Sequence, residues 1–470
     1  MKLYITATVC KILHFIGKLL GKGSSLPGQI ALRLYPDILK QLDLPGIIIA
    51  VTGSNGKTSA SEMIAHALEA AGMSVGWNRE GSNQTEGIAT TLLCIADASG
   101  KVKRDALVLE CDERYARRIF THFKPTVLVV TNLCRDQLSR NGHPEFIQDC
   151  IRDAIGAAGK DVKLVLNADD PYVAALAASS SDVLWFGIKP GAAPEGFRQS
   201  LPDPGTVISH QNRLQIITQL ETRGESGELY NDGAFCPVCK ERMIYKYRIS
   251  GHLGDYRCSS CSHKRPEPGI SVTDFDHWSG NIRFNNKSKL TLWPPTLTGA
   301  YNLCAAIAAA GAAGVDDEHA VRSLNDYKLT GGRTVRFSIG EREGLLLISK
   351  HENSLSYNQS FARVAKHGAP STVVIMVDSI SRKYYTSETS WLWDVDFEIL
   401  MSENVRNIVL TGRYSNELLA RFAMTAIEAD VISCVTEPRR LREFIERNTT
   451  GDVFAITCFS DKAKLLKALK

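Results

Sequence analysis

The sequence lacks any block of lysine and arginine that would mark a polybasic tail, and it has no internal repeat and no low-complexity tract. Fifty-five basic residues against 51 acidic leave a net charge of +4, too small a surplus to argue for nucleic acid as a partner. The apolar stretch Met1 to Leu20 is broken by Lys11, His14 and Lys18, and no small-residue cleavage site follows it. It therefore reads neither as a signal peptide nor as a membrane span. Val9, Ile12, Leu13, Ile16, Leu19 and Leu20 share one helical face, as in an amphipathic helix. Such a helix packs on its own domain or, at most, makes peripheral contact with a membrane. The twelve cysteines do not form a disulfide framework: four cluster between 236 and 261, and the rest are scattered through apparent strands and helices. Thiols of that kind imply a reducing, cytoplasmic setting.

What is present is an ordinary globular composition, 44% hydrophobic and 23% charged, over 470 residues. That length calls for two or three domains. Residues 46–52 (GIIIAVT) form a β-branched apolar run too short for a buried helix, so a buried parallel strand is expected. Ala60, Met63, Ile64, Ala67, Leu68 and Ala71 then mark a helix closed by Gly72. Further strands are expected at 106–110, 126–131, 163–167 and 183–187, alternating with helices, the pattern of a doubly wound α/β sheet. Residues 190–235 interrupt the rhythm, and Ala300–Ala313 reads as an Ala-rich helix. A second α/β rhythm has strands at 344–348, 372–378, 407–411 and 453–457, and helices near 415–428, 437–447 and 461–469. The expected division is an N-terminal helical segment at 1–45, a first α/β domain at 46–330 and a C-terminal α/β domain at 331–470, with the boundary close to Gly331–Gly332.

The segment Thr52-Gly53-Ser54-Asn55-Gly56-Lys57-Thr58 lies between the first strand and the first helix of the α/β pattern. Glycines there let backbone N–H groups close around phosphate oxygens, and the helix N-terminus favours the negative charge. Lys57 would reach the β- and γ-phosphates of ATP, and the Thr58 hydroxyl would bind Mg²⁺. The longer GxxxxGK[ST] pattern is not met, because position 51 is Val; the loop is the shorter GxxGKT. Leu109-Glu110-Cys111-Asp112-Glu113 puts carboxylates at the carboxyl edge of the sheet, where Glu110 suits a second Mg²⁺ ligand.

Cys236-Pro-Val-Cys239 and Cys258-Ser-Ser-Cys261 are CxxC pairs with 18 residues between Cys239 and Cys258. Two such knuckles complete a tetrahedral Zn²⁺ site, closed and therefore structural, although redox use of CxxC is the rival reading. His263 competes as a ligand. Tyr245, Tyr247 and Ile249 alternate with Lys246 and Arg248, as in a zinc ribbon hairpin spanning about 230–268. The ribbon carries Lys240, Arg242, Lys246, Arg248, Arg257, Lys264 and Arg265, so a nucleotide-dependent nucleic-acid-binding protein stands as a remote alternative.

TGSNGKTS resembles the TGTNGKT loop of the Mur ligases, which form amide bonds through an acyl phosphate. Leu26-Pro27-Gly28-Gln29-Ile30-Ala31, Glu80-Gly81-Ser82-Asn83, Thr131-Asn132-Leu133, Arg135-Asp136-Gln137-Leu138, Leu166-Asn167-Ala168-Asp169-Asp170-Pro171, Tyr301-Asn302 and Gly332-Arg333 extend the likeness. Thr389-Ser390-Trp391-Leu392-Trp393-Asp394 and Thr411-Gly412-Arg413 extend it to the end of the chain. Together they resemble the MurT type, the ligase subunit of lipid II isoglutaminyl synthase. The resemblance implies a Mur ligase ATPase domain with an inserted four-cysteine zinc ribbon, followed by a second, Rossmann-like α/β domain. It also implies ATP-dependent amidation of the D-glutamate α-carboxyl of lipid II, with ammonia from a GatD-type glutaminase in a heterodimer. No glutaminase Cys/His pair is recognisable in this chain itself. By the same resemblance Asn167, Asp170 and Asn302 surround the nucleotide, and Arg333 supplies a cation from the second domain.

Several positions depart from the MurT pattern. Ser139 stands for an Asp, Thr296 and Gly299 for a Gly and an Asn, and Lys350–Asn358 for a KNPxGxN stretch. Glu388 stands where the family's Asp completes the partner's glutaminase triad; here it is either that carboxylate or a surface glutamate. These changes admit a second reading, a MurT paralogue that keeps nucleotide and zinc but has altered or lost amidation.

Overall fold

The computed structural model describes residues 1–19, 25–79, 82–136, 141–180, 182–189, 192, 233–276, 279–285, 288–292, 296–325, 327–328, 334–379 and 389–469. The chain divides into two compact units. Of the described residues, the first comprises those within 1–134, 144–192 and 233–328, and the second those within 135–143 and 334–469.

The first unit is built on a nine-stranded sheet. Its strands are β1 (Ile47–Thr52), β2 (Val75–Trp77), β3 (Ala106–Glu110), β4 (Val127–Val130), β5 (Lys163–Asn167) and β6 (Val183–Ile188), followed, beyond the separate hairpin β7 (Met243–Ser250) and β8 (Leu253–Cys258), by β9 (Ile270–Phe275), β10 (Asn281–Phe284) and β11 (Ser288–Thr291). The order is β11-β10-β9-β6-β5-β4-β1-β3-β2. Pairing is parallel from β2 to β9 and antiparallel at the β9-β10-β11 end. Both faces are covered. Ile49 and Val51 of β1 face the helices Lys57–Ala70, Leu297–Ala312 and Asp317–Leu324, whereas Ile48 and Ala50 face a cluster that contains residues of helices Thr85–Ile95 and Pro144–Ala158. This division by alternate residues is why β1 reads as one continuous apolar run.

Residues 1–45 pack into this second cluster through Ala7, Cys10, Ala31, Ile38 and Leu39. The first helix, Lys2–Leu19, buries Thr6, Ala7 and Cys10. The apolar face noted in the sequence is thus not the packed one: Ile12, Ile16 and Leu19 are exposed. Small side chains let this helix lie close on its neighbours, and the bulky ones point away.

The β7–β8 hairpin is held by the first unit. Tyr247, Ile249 and Leu253 join the main core, and Tyr245, Met243 and Tyr256 pack with Cys236 and Cys258. The expected alternation holds as far as Tyr247 and then fails, Arg248, Ile249 and Ser250 all being buried; the register shifts between Tyr245 and Tyr247 and again between Arg248 and Ser250. Arg248 is buried, with its guanidinium 3.9 Å from the centre of the Tyr245 ring and donating to Gly251 O at 3.0 Å. Asp169 anchors the hairpin from below: its carbonyl accepts from Gly254 N at 2.9 Å, and its carboxylate pairs with Arg265 at 2.7 Å. Tyr301 Oη and Ile188 N donate to the same carboxylate, both at 2.8 Å.

The second unit has a six-stranded sheet of β12 (Thr334–Ile339), β13 (Arg342–Ser349), β14 (Ser371–Met376), β15 (Val405–Thr411), β16 (Ile432–Val435) and β17 (Asp452–Cys458). Its order is β12-β13-β17-β14-β15-β16, parallel except for β12. Two apolar clusters cover its faces. The helix expected near 415–428 is shorter, Ser415–Phe422, and that near 437–447 begins only at Leu441 after a 3-10 turn at Pro438–Arg440. Pro438 supplies no N–H to a preceding turn, so it starts the helical segment and does not extend one back. Among the described residues no helix is long and apolar enough to cross a membrane, and no disulfide joins any of the twelve cysteines.

Full burial pushes the Asp169 carboxyl up from its ordinary pKa, and Arg265, Ile188 N and Tyr301 oppose that shift. Replacing Arg265 with Met removes the main opposing charge. Urea denaturation of Arg265→Met is expected to show a loss of about 3–5 kcal/mol at neutral pH. The loss is smaller at pH 5 than at pH 8. An acid whose folded pKa lies above its unfolded value destabilises the fold as pH rises through that window.

Candidate functional site

Strand order places the loop after β1 at a switch point. The chain leaves β1 for β2 at the sheet edge, returns to β3 beside β1, and then crosses to β4 on the other side. The crevice at the carboxyl ends of β1 and β4 is where an open α/β sheet takes a ligand. Gly53 and Gly56 have φ of 124° and 86°. Both positions are also closely approached: a Cβ would lie 2.3 Å from Thr131 Oγ1 at Gly53 and 2.0 Å from Asn302 Oδ1 at Gly56. Only glycine satisfies both conditions.

The loop is pinned to the segment after β4. Asn132 O accepts from Ser54 N at 2.7 Å, and Asn132 Oδ1 accepts from Asn55 N at 3.0 Å. Thr131 Oγ1 donates to Asn55 O at 2.7 Å, and Asn132 Nδ2 donates to the same oxygen at 3.0 Å. Ser54 Oγ donates to Cys134 O at 3.2 Å. Thr52 Oγ1, at the start of the loop, is buried with no protein partner.

Lys57 opens the helix Lys57–Ala70, with its ammonium turned back over the loop. Nζ donates to Gly53 O at 2.6 Å and pairs with Glu113 Oε1 at 2.8 Å, both side chains being buried. One residue on, Thr58 Oγ1 donates to Glu110 Oε2 at 2.7 Å. Asn83 Nδ2 holds the other Glu110 oxygen at 2.8 Å, and Asn78 bonds the Glu110 backbone at both N and O, each at 2.9 Å. A hydroxyl and a carboxylate oxygen in contact, the second fixed by two asparagines, form a donor set that suits a small hard cation.

Asn167 and Asp170 follow β5. Asn167 Nδ2 donates to Thr131 O at 2.9 Å, which ties β5 to the loop-bearing segment. Asp170 caps the short helix Pro171–Ala174, accepting from Tyr172 N at 2.9 Å, and its other oxygen accepts from Leu133 N at 2.7 Å. His252, at the hairpin tip, lies 3.3 Å from that second oxygen. Gly53, Ser54, Asn55, Gly56, Lys57, Thr58, Glu110 and Asn302 therefore come together around one loop, with Asn167 and Asp170 bonded to the segment that pins it. Arg333 and Glu388 lie outside the described residues, as does Ser139. Glu113, Asn83, Thr131 and Asn132 are unassigned in the sequence reading, although Glu113 stands in the acidic run and the others within the family motifs.

Thr296 and Gly299, two of the departures, have a local explanation. Thr296 caps the helix Leu297–Ala312 by accepting from Gly299 N at 3.0 Å, and a Cβ at position 299 would meet Thr296 Oγ1 at 2.9 Å. The pair maintains the start of the helix that carries Asn302.

Away from this loop, the sulfurs of Cys236, Cys239, Cys258 and Cys261 all lie within 4.8 Å of one another. The Cys236–Cys261 and Cys239–Cys258 separations are 3.7 and 3.4 Å. A tetrahedron with metal–sulfur bonds of about 2.3 Å has sulfur–sulfur edges of about 3.8 Å. Ser260 N and Cys261 N donate to Cys258 Sγ, both at 3.3 Å, and Val238 N donates to Cys236 Sγ at 3.4 Å. The N–H groups of Cys261 and Ser260 hold the Cys258 thiol down at about 6, while burial pushes Cys236 up to about 12. His263 is turned elsewhere: its Nε2 lies 3.0 Å from Pro171 O. Among the basic residues of the hairpin, Arg248 and Arg265 are committed internally and Lys240 pairs with Glu145 at 2.6 Å. The other four, Arg242, Lys246, Arg257 and Lys264, are exposed.

Comparison with known proteins bears on both units. A family model for the Mur ligase middle domain matches residues 51–222, and one for the MurT ligase C-terminal region matches residues 351–460. The chain is 26% identical, over 92% of its length and 90% of the relative's, to the MurT subunit of lipid II isoglutaminyl synthase (glutamine-hydrolyzing) from Staphylococcus aureus strain COL. It is 26% identical to the same subunit from Streptococcus pneumoniae strain ATCC BAA-255 / R6, over 95% of this chain and 92% of the relative. The chain is a homologue of MurT. Among solved structures, this MurT homologue resembles a pseudomurein peptide ligase type C from Methanothermus fervidus, with a TM-score of 0.67 at 20% identity over 93% of this chain and 81% of the other. It also resembles MurF ligase from Thermotoga maritima in complex with ADP, with a TM-score of 0.59 at 14% identity over 93% and 83% of the two chains. At these identities the likeness concerns the Mur ligase fold alone.

Gly56→Ala is expected to lower stability by about 1–3 kcal/mol in thermal or urea denaturation, from strain at positive φ and collision with Asn302. Adding Asn302→Ala should recover part of that loss, since the collision is relieved and the strain remains.

Proposed function

We propose that the chain is the ligase subunit of a lipid II isoglutaminyl synthase. It would convert the α-carboxyl of D-glutamate in the lipid II stem peptide to the amide, using ATP and ammonia from a GatD-type glutaminase partner. The observation that carries this reading is the constellation of Lys57 beside the Gly53–Gly56 loop with Thr58 in contact with Glu110, in a chain homologous to MurT along nearly its whole length.

The γ-phosphoryl group of ATP passes to the α-carboxylate, ADP leaves, and an acyl phosphate results. Ammonia attacks the acyl carbon, its surplus proton is lost, and inorganic phosphate departs to leave the amide. Phosphoryl transfer depends mainly on positioned cations and donors. The N–H groups of the Gly53–Gly56 loop would line the phosphates. Lys57 would exchange Glu113 for phosphate oxygens, and Asn302 would keep Gly56 in its left-handed conformation. Thr58 and Glu110 would hold Mg²⁺, which when bound neutralises charge on the transferred group. Arg333, as a further cation, and Glu388, as a positioning carboxylate for the partner's histidine, extend the proposal through the family resemblance.

Cys236, Cys239, Cys258 and Cys261 would hold one Zn²⁺ in a closed four-thiolate site, which supplies cross-linking and no open coordination position. The hairpin it fastens bears His252 and Tyr256, and these contact Asp170 and the Ala168 carbonyl behind the nucleotide loop.

The purified chain together with its glutaminase subunit, given ATP, glutamine and lipid II, is expected to yield amidated lipid II by mass spectrometry. Lys57→Ala should lower turnover by at least about 10²-fold. No product with either glutamine or ammonium would overturn the reading; product with ammonium alone would place the fault in ammonia supply. Metal analysis is expected to find about one zinc per chain, and Cys236→Ser should lose it together with thermal stability.

A further inference from the structure

The helix Lys2–Leu19 carries an uncharged apolar face that no described residue of its own unit covers. At 100° per residue, Met1, Tyr4, Ile5, Thr8, Ile12, Phe15, Ile16 and Leu19 fall within an arc of about 120°. Seven of these eight are large hydrophobics between 45% and 98% exposed, Phe15 at 65% and Leu19 at 72% among them. The one polar member, Thr8, returns its hydroxyl to Tyr4 O at 2.8 Å. The opposite side of the helix, Thr6, Ala7 and Cys10, is the packed one. Leu26 and Leu34 of the following helix, Leu26–Leu34, add two more exposed side chains at 57% and 51%. Scattered exposed hydrophobics are ordinary, but a contiguous uncharged stripe along five turns is not.

Charge indicates the occupant. The first acidic residue in the chain is Asp37; before it stand Lys2, Lys11, Lys18, Lys22 and Arg33. On the helical projection Lys2, its ammonium 4.7 Å from the centre of the Tyr35 ring, borders the apolar arc on one side, and Lys11, which donates to Ala96 O at 2.6 Å, and Lys18 border it on the other. A protein interface of this size would ordinarily carry both signs at its rim. An uncharged stripe flanked only by cations matches an anionic bilayer surface, with the helix lying in the plane of the interface and not crossing it.

We infer that the helix Lys2–Leu19 is a monotopic anchor that seats the first unit on membranes containing anionic phospholipid. The inference stands on this helix and not on the amidation reading, although a lipid-linked acceptor would be reached from such a position.

Flotation of the full chain with vesicles of phosphatidylglycerol and phosphatidylcholine, free of lipid II, tests it. The chain should rise with the vesicles, and far less of it with phosphatidylcholine alone. Ile12→Asp/Phe15→Asp, at two exposed positions, should reduce the bound fraction at least about tenfold while the melting temperature stays unchanged. Failure to float, or flotation indifferent to the double substitution, would overturn the anchor. So would a fall in the solution mass of the chain, or of its complex with a glutaminase subunit, on making the double substitution, because the stripe would then be a protein interface. Since no lipid II is present, a negative result leaves the amidase assay unaffected, and an inactive enzyme that still floats leaves the anchor intact.

Discussion

Two adjacent buried carboxylates, Asp169 and Asp170, hold together most of what matters in the first unit. Asp169 ties the inserted hairpin, the helix that carries Asn302 and the end of β6 to the sheet through Arg265, Gly254, Tyr301 and Ile188. Asp170 secures the segment after β4, through Leu133 N, and meets the hairpin tip at His252. That segment in turn holds the Gly53–Gly56 loop. Burying two carboxylates side by side is costly unless every oxygen is satisfied, and here partners from separate parts of the chain satisfy them. The loop geometry therefore depends on the insertion being folded.

This dependence accounts for the four cysteines. A hairpin of β7 and β8 is too small to be stable alone. Its inner face is aromatic and joins the domain core, and its outer end is closed by the thiol cluster together with the Lys240–Glu145 pair and the His263 contact to Pro171 O. A metal cross-link would fix that end, and the aromatic face would transmit its position to Asp169 and Asp170. The insertion acts as a brace for the site and contributes no group to the loop itself.

Much of this was legible in the sequence where one force dominates. β1 is apolar throughout because both faces are buried, the GxxGKT loop is bounded by a strand and a helix, and CxxC spacing expresses thiolate geometry directly. The partner of Lys57 was not legible, since Glu113 could as well have been solvated and only the tertiary fold brings it to 2.8 Å. Arg248 reads as an outward residue of an alternating strand, but it is buried with its guanidinium over Tyr245 and bonded to Gly251 O. The first helix misled for another reason: its periodicity is real, but periodicity cannot say which face meets the core, and small residues settled the choice. Thr296 and Gly299 look like lost motif residues in the sequence, and in space they form one helix cap.

The contact between Lys57 and Glu113 has a thermodynamic corollary. Lys57 already has a carboxylate counterion in Glu113, so on the proposed reading a nucleotide would exchange one anion for another there. Long-range attraction between protein and nucleotide is muted by the internal carboxylate. On the proposed reading, the affinity for nucleotide would be a difference between two strong interactions and not the strength of one.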